Sequence, residues 1–183
     1  AFPQAPIVLE GELQVGGQDH FYLETQVALA IPQEDRAMVV HSSTQHPTEV
    51  QHIVARLLGV PQNAVTVEVR RMGGAFGGKE SQATLIAGIA AVLARRTGRP
   101  VKLRLDRDTD MIVTGKRHDF LLRWRVGVVA DGGVLAVDME IADISGWSVD
   151  VSLPVIWRAL CLDEHARSYP PIWLCGCGSR PQT

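Results

Sequence analysis

The sequence predicts an α+β fold, a mixed sheet with buried helices. Three observations lead there. "AMVVHSST" (37–44) is apolar and β-branched, and "AVTVEVR" (64–70) alternates with period two. The period becomes helical over 50–58 and 81–96, and returns to two in "VKLRL" (101–105). Strand, helix, strand, helix, strand and hairpin in that order specify helices packed on a sheet of mixed direction.

Each element has a local cause. "AMVVHSST" is apolar and β-branched, hence a strand. Pro47 opens a helix where its missing N–H costs nothing, and Glu49 sits in the first turn on the positive dipole end. Val50, Ile53, Val54, Leu57 and Leu58 share one face, and Gly59 and Pro61 end the helix. The helix expected from about Ser81 to Arg96 is apolar almost all round and is therefore expected to be deeply buried. Arg95 and Arg96 suit its C-terminal dipole, and Gly98 and Pro100 stop it. "LLRWRVGVVA" and "VLAVDMEIAD" flank Asp131-Gly132-Gly133, a hairpin with its turn chemistry built in.

Composition narrows the function. The 183 residues are enough for one core with at most an appended lobe. Lys plus Arg number 18 against 20 Asp plus Glu, a net charge of −2, which gives no electrostatic reason for nucleic acid or an anionic membrane as partner. "LIAGIAAVLA" (85–94) is too short to span a bilayer and reads as a core helix. The N-terminus carries no basic region followed by an apolar stretch, so no secretory signal is read, and without an initiator methionine the chain is expected to be processed or a piece of something larger. Cys161, Cys175 and Cys177, with His165 nearby, lack the paired spacing of zinc knuckles and read as reduced thiols of a cytoplasmic protein.

The chemistry-bearing stretch is "RRMGGAFGGKES" (71–82). Gly73, Gly78 and Lys79 match the phosphate-loop pattern up to its last letter, which must be Ser or Thr. Here it is Glu80, whose carboxylate would face the polyanion, and Ser81 falls about 100° further round a helix. A nucleotide is therefore not expected. Two readings of the glycines remain. They permit a tight turn between strand and helix, or they bring bare N–H groups to a partly negative ligand, with Phe76 as an aromatic wall and Glu80 as an acceptor.

"GGQDHFYLET" (16–25), "SSTQH" (42–46), "RRMGGAFGGKES", "GRPVKLRLDRDTDM" (98–111) and "TGKRHDF" (114–120) together, in this order, resemble the molybdopterin-binding large subunit of the xanthine dehydrogenase/aldehyde oxidase molybdenum hydroxylase family. The resemblance covers about residues 10 to 160. It implies a partial molybdopterin-binding domain over 1–160, followed by a tail, 161–183, that does not match and looks frameshifted or truncated. It also implies a molybdenum–molybdopterin cofactor, with iron–sulfur clusters and FAD on other subunits or domains, and an oligomeric complete enzyme in the cytoplasm. The implied reaction is hydroxylation of hypoxanthine or xanthine to urate with oxygen taken from water, as a step of purine catabolism. Aldehydes or other N-heterocycles as substrates, or a non-catalytic remnant that docks onto subunits, are the alternatives.

By position, Gln45 resembles the glutamine that approaches an oxygen ligand of molybdenum. Phe76, within the loop of Gly73, Gly74, Ala75, Gly77 and Gly78, resembles the segment whose backbone contacts the same centre. Glu80 resembles the glutamate that hydrogen-bonds the purine. Read from the residues alone, Gln45 could instead cap the helix at Pro47, Phe76 plug the loop from below, and Glu80 sit on a helix dipole. His20 and Tyr22 read as packing and hydrogen-bonding residues, and Arg117 and His118 as surface or interdomain contacts. The family's later arginine-bearing motif and its general-base glutamate have no match, so no catalytic base is assigned here, and the chain alone is expected to be incomplete and inactive.

Overall fold

The computed structural model describes residues 2–146, 150–162 and 172–179, the side chains of 161–162 and 172–179 excepted. The chain divides into two compact units, one of residues 19–116 and one of residues 1–18 with 117–183.

In the first unit, β2 (Val27–Pro32), β3 (Met38–Ser42), β4 (Val65–Glu68) and β5 (Val101–Arg104) form a sheet of order β4-β3-β2-β5. β3 and β4 are parallel, joined through α1 (Pro47–Leu58), whereas β2 runs antiparallel to both β3 and β5. The sheet is mixed, as expected. α1 ends at Gly59, which takes the left-handed conformation at φ +61° that glycine adopts without steric cost. β4 is shorter than its pattern suggested, because a 3-10 turn occupies Gln62–Ala64.

α2 (Ala83–Thr97) starts two residues later than expected, and its burial is one-sided. Ile86, Ala87, Gly88, Ala90, Ala91 and Ala94 enter the core with Ala28, Ala30, Met38, Val40, Val50, Val54 and Val65. Leu85, Ile89 and Leu93 remain 43–56% exposed, one stripe at i, i+4 and i+8. Apart from Ile86, the inward face is made of small residues, which allow close approach. A Cβ on Gly88 would stand 2.7 Å from Leu57 Cδ1 of α1. Seven residues in α3 (Arg107–Val113) follow, capped by Asp106, whose side chain accepts from the Thr109 N–H.

In the second unit, β1 (Ile7–Val15), β6 (Asp119–Val128), β7 (Val134–Ile144) and β8 (Ile172–Ser179) form a sheet in that order. β6 and β7 are the expected hairpin. β8 pairs parallel with β7, and α4 (Ser152–Leu162) precedes it. β1, β2, α3, α4 and β8 were not anticipated. No helix among the described residues is long and apolar enough to cross a membrane.

Candidate functional site

The glycine segment is a loop, 73–79, lying wholly within the 19–116 unit. Both of its ends are tied to one residue. At the entry, the Glu24 N–H donates to the Gly73 carbonyl (3.0 Å), and the Gly73 N–H donates back to Glu24 Oε2 (3.0 Å). At the exit, Lys79 Nζ donates to the Glu24 carbonyl (2.7 Å), to Ser43 Oγ (2.8 Å) and to Glu24 Oε2 (3.3 Å). Lys79 is completely buried, with its ammonium 4.7 Å from the Tyr22 ring centroid.

The protonation states follow from these contacts. Burial pushes the Lys79 ammonium below the usual lysine pKa, and the Glu24 charge opposes that shift. Burial alone would push the Glu24 carboxyl up. The Gly73 N–H, the Ser43 hydroxyl and Lys79 outweigh it and hold the carboxyl below its ordinary value.

Beneath the loop lies a buried polar network. Tyr22 Oη donates to Asp110 Oδ1 (2.6 Å), and the Gln26 N–H donates to Asp110 Oδ2 (2.6 Å). Gln26 Nε2 donates to the Gly78 carbonyl (2.9 Å) and to Tyr22 Oη (3.1 Å). Burial first, and then the Asp110 carboxylate, push the Tyr22 phenol up to about 12. Gly78 is needed for this close approach, since a Cβ there would stand 2.7 Å from Tyr22 Cε1 and 2.8 Å from His20 Cγ.

Gln45 meets the loop from the end of β3. Its N–H donates to the Lys79 carbonyl (2.9 Å), which Thr44 Oγ1 also approaches (3.0 Å). Its side-chain oxygen accepts from the Gly77 N–H (3.0 Å) and the Lys79 N–H (3.4 Å). With the oxygen spent on the loop, the exposed Gln45 side chain has its Nε2 donors left over. Gln45 does not cap α1; His46 occupies the cap position without a side-chain bond.

Phe76 is 75% exposed, so it is no plug beneath the loop. It adopts φ +55° between Gly74 at +92° and Gly77 at +94°, a strained choice for a bulky residue that clusters at functional sites. Among the described residues, the N–H groups of Gly74, Ala75 and Phe76 donate to no protein acceptor. Glu80 is exposed and precedes the first helical residue of α2 by three positions, so it lies outside the helix's first turn and the dipole reading is removed.

The structure thus brings Gln45 onto the loop that carries Gly73, Gly74, Ala75, Phe76, Gly77 and Gly78. Sequence reasoning missed Lys79, Glu24, Gln26 and Asp110 as the supports of that loop. A fully buried lysine has no local signature, although "DRDTD" did carry the Asp106 cap that places Asp110. Tyr22 proves to be the hydrogen-bonding residue expected. His118 lies 2.9 Å from Asp143 and 3.3 Å from Ser152 Oγ, inside the unit of 1–18 and 117–183. With Ser152 only 4% exposed, this trio packs the unit and presents no accessible nucleophile. Cys161, Cys175, Cys177 and His165 fall outside the described side chains, and among the described residues no cluster of metal-ligating side chains occurs.

The arrangement offers amide N–H donors, an aromatic edge and a carboxylate, and among the described residues no cluster of side chains that could ligate a metal. That set suits a bulky oxygen-bearing group held by hydrogen bonds rather than by coordination.

Comparison with known proteins agrees. The family model described as the molybdopterin cofactor-binding domain matches residues 1–169. Xanthine dehydrogenase of Drosophila subobscura is 42% identical over 179 residues, 96% of this chain and 13% of that protein. Nicotinate hydroxylase of Emericella nidulans is 45% identical over 169 residues, 92% of this chain and 12% of that protein. Among solved structures, the aldehyde oxidoreductase of Desulfovibrio gigas superposes with a TM-score of 0.84 at 26% identity, over 98% of this chain and 20% of that one. This chain therefore spans about an eighth of the curated relatives it matches, and it belongs to the molybdopterin cofactor-binding domain family.

Proposed function

We propose that this chain is part of the molybdenum-cofactor portion of a xanthine dehydrogenase-type hydroxylase, and that the 73–79 loop with Gln45 contacts the molybdenum end of the cofactor. The observation that carries the reading is the pairing at Gln45. Its oxygen is consumed by the loop, so what it retains is an amide donor, and the same loop carries three N–H groups that find no acceptor among the described residues. Such donors fit an oxygen-rich group, and they do so without displacing its oxygens.

When bound, the cofactor supplies the two-electron oxidation and the water-derived oxygen. The chain's own residues orient and stabilise. Gln45 Nε2 and the Gly74–Phe76 N–H groups donate hydrogen bonds toward the bound group, and Phe76 presents an edge to a flat substrate. Glu80, exposed and outside α2, accepts from a heterocycle N–H and stabilises charge building on the ring. No residue here is assigned as the general base.

The same reading takes a purine, hypoxanthine or xanthine, as substrate and an iron–sulfur/FAD domain or subunit as electron partner, in an oligomeric, cytoplasmic enzyme of purine catabolism. It keeps 1–160 as the family portion and 161–183 as a separate tail, while the family model's match runs to residue 169. A second reading has its own support. The identity to a nicotinate hydroxylase, 45%, is as high as the 44% and 42% to two xanthine dehydrogenases, which supports an N-heterocycle other than a purine at the same loop.

The test is Glu80→Ala in a full-length enzyme carrying this segment. Losing a charge-assisted hydrogen bond that strengthens in the transition state costs about 2–4 kcal/mol, or roughly 30- to 1000-fold in turnover. Purine turnover should fall by that factor with molybdenum content unchanged. A matching loss on nicotinate alone would favour the second reading, and unchanged turnover of both would remove Glu80 from the substrate's side.

A further inference from the structure

A lysine is almost never fully buried unless it is paired, and a buried ion pair can often be replaced by apolar residues without loss of stability. Lys79 is nevertheless completely buried, and the hydrogen bonds of its ammonium all go to the residue that ties the loop's entry or to Ser43 beside Gln45's strand end. Its ammonium meets the Glu24 carbonyl, the Glu24 carboxylate and Ser43 Oγ, which accounts for all three of its donors. Its backbone N–H and carbonyl meet the Gln45 side chain and the Gln45 N–H. Glu24 in turn holds Gly73, six positions earlier, at both its N–H and its carbonyl. One side chain thus links the loop's entry, the loop's exit and the end of β3 that carries Gln45.

We propose that Lys79 is a positioning residue. By holding Glu24 and Ser43 it fixes the 73–79 loop against Gln45, so that the Gln45 amide and the Gly74–Phe76 N–H groups stand in one arrangement before any ligand arrives. An apolar side chain of similar length could fill the space but could not tie the Glu24 carbonyl to Ser43. Preorganisation of this kind is what a supporting shell supplies to a site. The inference rests on the reading of the site given above, because only that reading makes the arrangement consequential for chemistry.

The experiment compares Lys79→Met and Lys79→Arg in a full-length molybdenum hydroxylase carrying this segment, by hydrogen–deuterium exchange and steady-state kinetics. In Lys79→Met, exchange in the peptide covering 72–80 should accelerate ~10-fold or more while the 83–97 helix keeps its rate. kcat should fall ~10-fold or more at unchanged molybdenum content, with KM moving less, because misplacement of donors acts in the transition state. Lys79→Arg should restore part of both. Unchanged exchange at 72–80, or equal loosening of loop and helix, would overturn the proposal. If Lys79→Met does not fold, Glu24→Gln serves in its place, and it should free the same peptide and spare the same helix or the proposal falls. A parallel Gln45→Ala separates the two ideas. If that variant keeps its metal content and turnover, the site reading fails, while the exchange data still judge Lys79.

Discussion

Two glycine-rich turns in this molecule make a natural contrast. The hairpin turn at 129–133 is held by its own residues. The Val129 N–H donates to the Gly133 carbonyl (2.9 Å), the Gly132 N–H to the Val129 carbonyl (3.0 Å) and the Gly133 N–H to the Asp131 carboxylate (3.1 Å). A Cβ on Gly132 would meet nothing within 4 Å. The 73–79 loop has one bond of its own, from the Gly78 N–H to the Ala75 carbonyl (2.8 Å), and is otherwise held by Glu24, Gln26, Ser43, Thr44 and Gln45, all far away in sequence. A turn written in its own residues needs no surroundings. A loop that must present unpaired donors cannot spend those donors on itself, so its supports come from elsewhere.

The contrast can be broken in order of expected effect. Gly78→Val should be the most damaging, since its Cβ would drive into the buried Tyr22 ring and into His20. Overpacking of this kind costs roughly 3 kcal/mol, read as a lowered urea midpoint at unchanged slope. A loss below about 1 kcal/mol would mean that the loop is as self-contained as the hairpin turn.

Next comes an alkaline dependence specific to the loop's underside. Tyr22 holds its proton to about pH 12 in the fold and to the ordinary tyrosine value near 10 when unfolded. The unfolded chain releases the proton first, so the stabilisation is fully present below 10 and is lost as pH rises through about 12. The whole effect is ~2–3 kcal/mol. Tyr22→Phe should abolish that slope. It should also cost about 1–3 kcal/mol at neutral pH, because the buried Asp110 loses a donor. An identical alkaline slope in the variant would locate the titration elsewhere.

Gly132→Ala should be the mildest. The position has φ +89° but open space around it, so the cost is conformational alone, about 1–2 kcal/mol, with loop-peptide exchange at 72–80 untouched. If the two turns responded alike, the distinction drawn between them would be wrong.

The same distinction explains what could be read from the chain. The run β3, α1, β4, loop, α2, β5 and the β6–β7 hairpin announce themselves by periodicity and punctuation, which are local. β2 escaped because "VALAIP" is short and one-third alanine, and its strand character comes from neighbours on both sides, β3 and β5. β1 escaped because Gly11 interrupts it. The gap is filled across the sheet, where the Trp124 ring occupies the space that a Cβ on Gly11 would need. The one-sided burial of α2 was hidden as well, since hydropathy ranks leucine above alanine while close packing against α1 and the sheet prefers the smaller residue. At the site, the loop and Gln45 were visible only as motifs. Lys79 was read only as a letter of the phosphate-loop pattern that Glu80 breaks, because the partners that bury it lie 36 and 55 positions away.

Anyone wishing to move this loop between related enzymes inherits a constraint from the double tie to Glu24. A cassette spanning 71–82 alone would arrive in its new host with Gly73 and Lys79 each reaching for a carboxylate that the cassette does not carry. The smallest portable piece is therefore three strips cut together, roughly 20–26, 42–46 and 71–82, which between them contain the hydrogen bonds that tie the loop down, while the two bonds that Asp110 of α3 accepts from the network below come from outside them. Chimeras that respect those strips should inherit the loop's shape, and those that cut between them should inherit only its spelling.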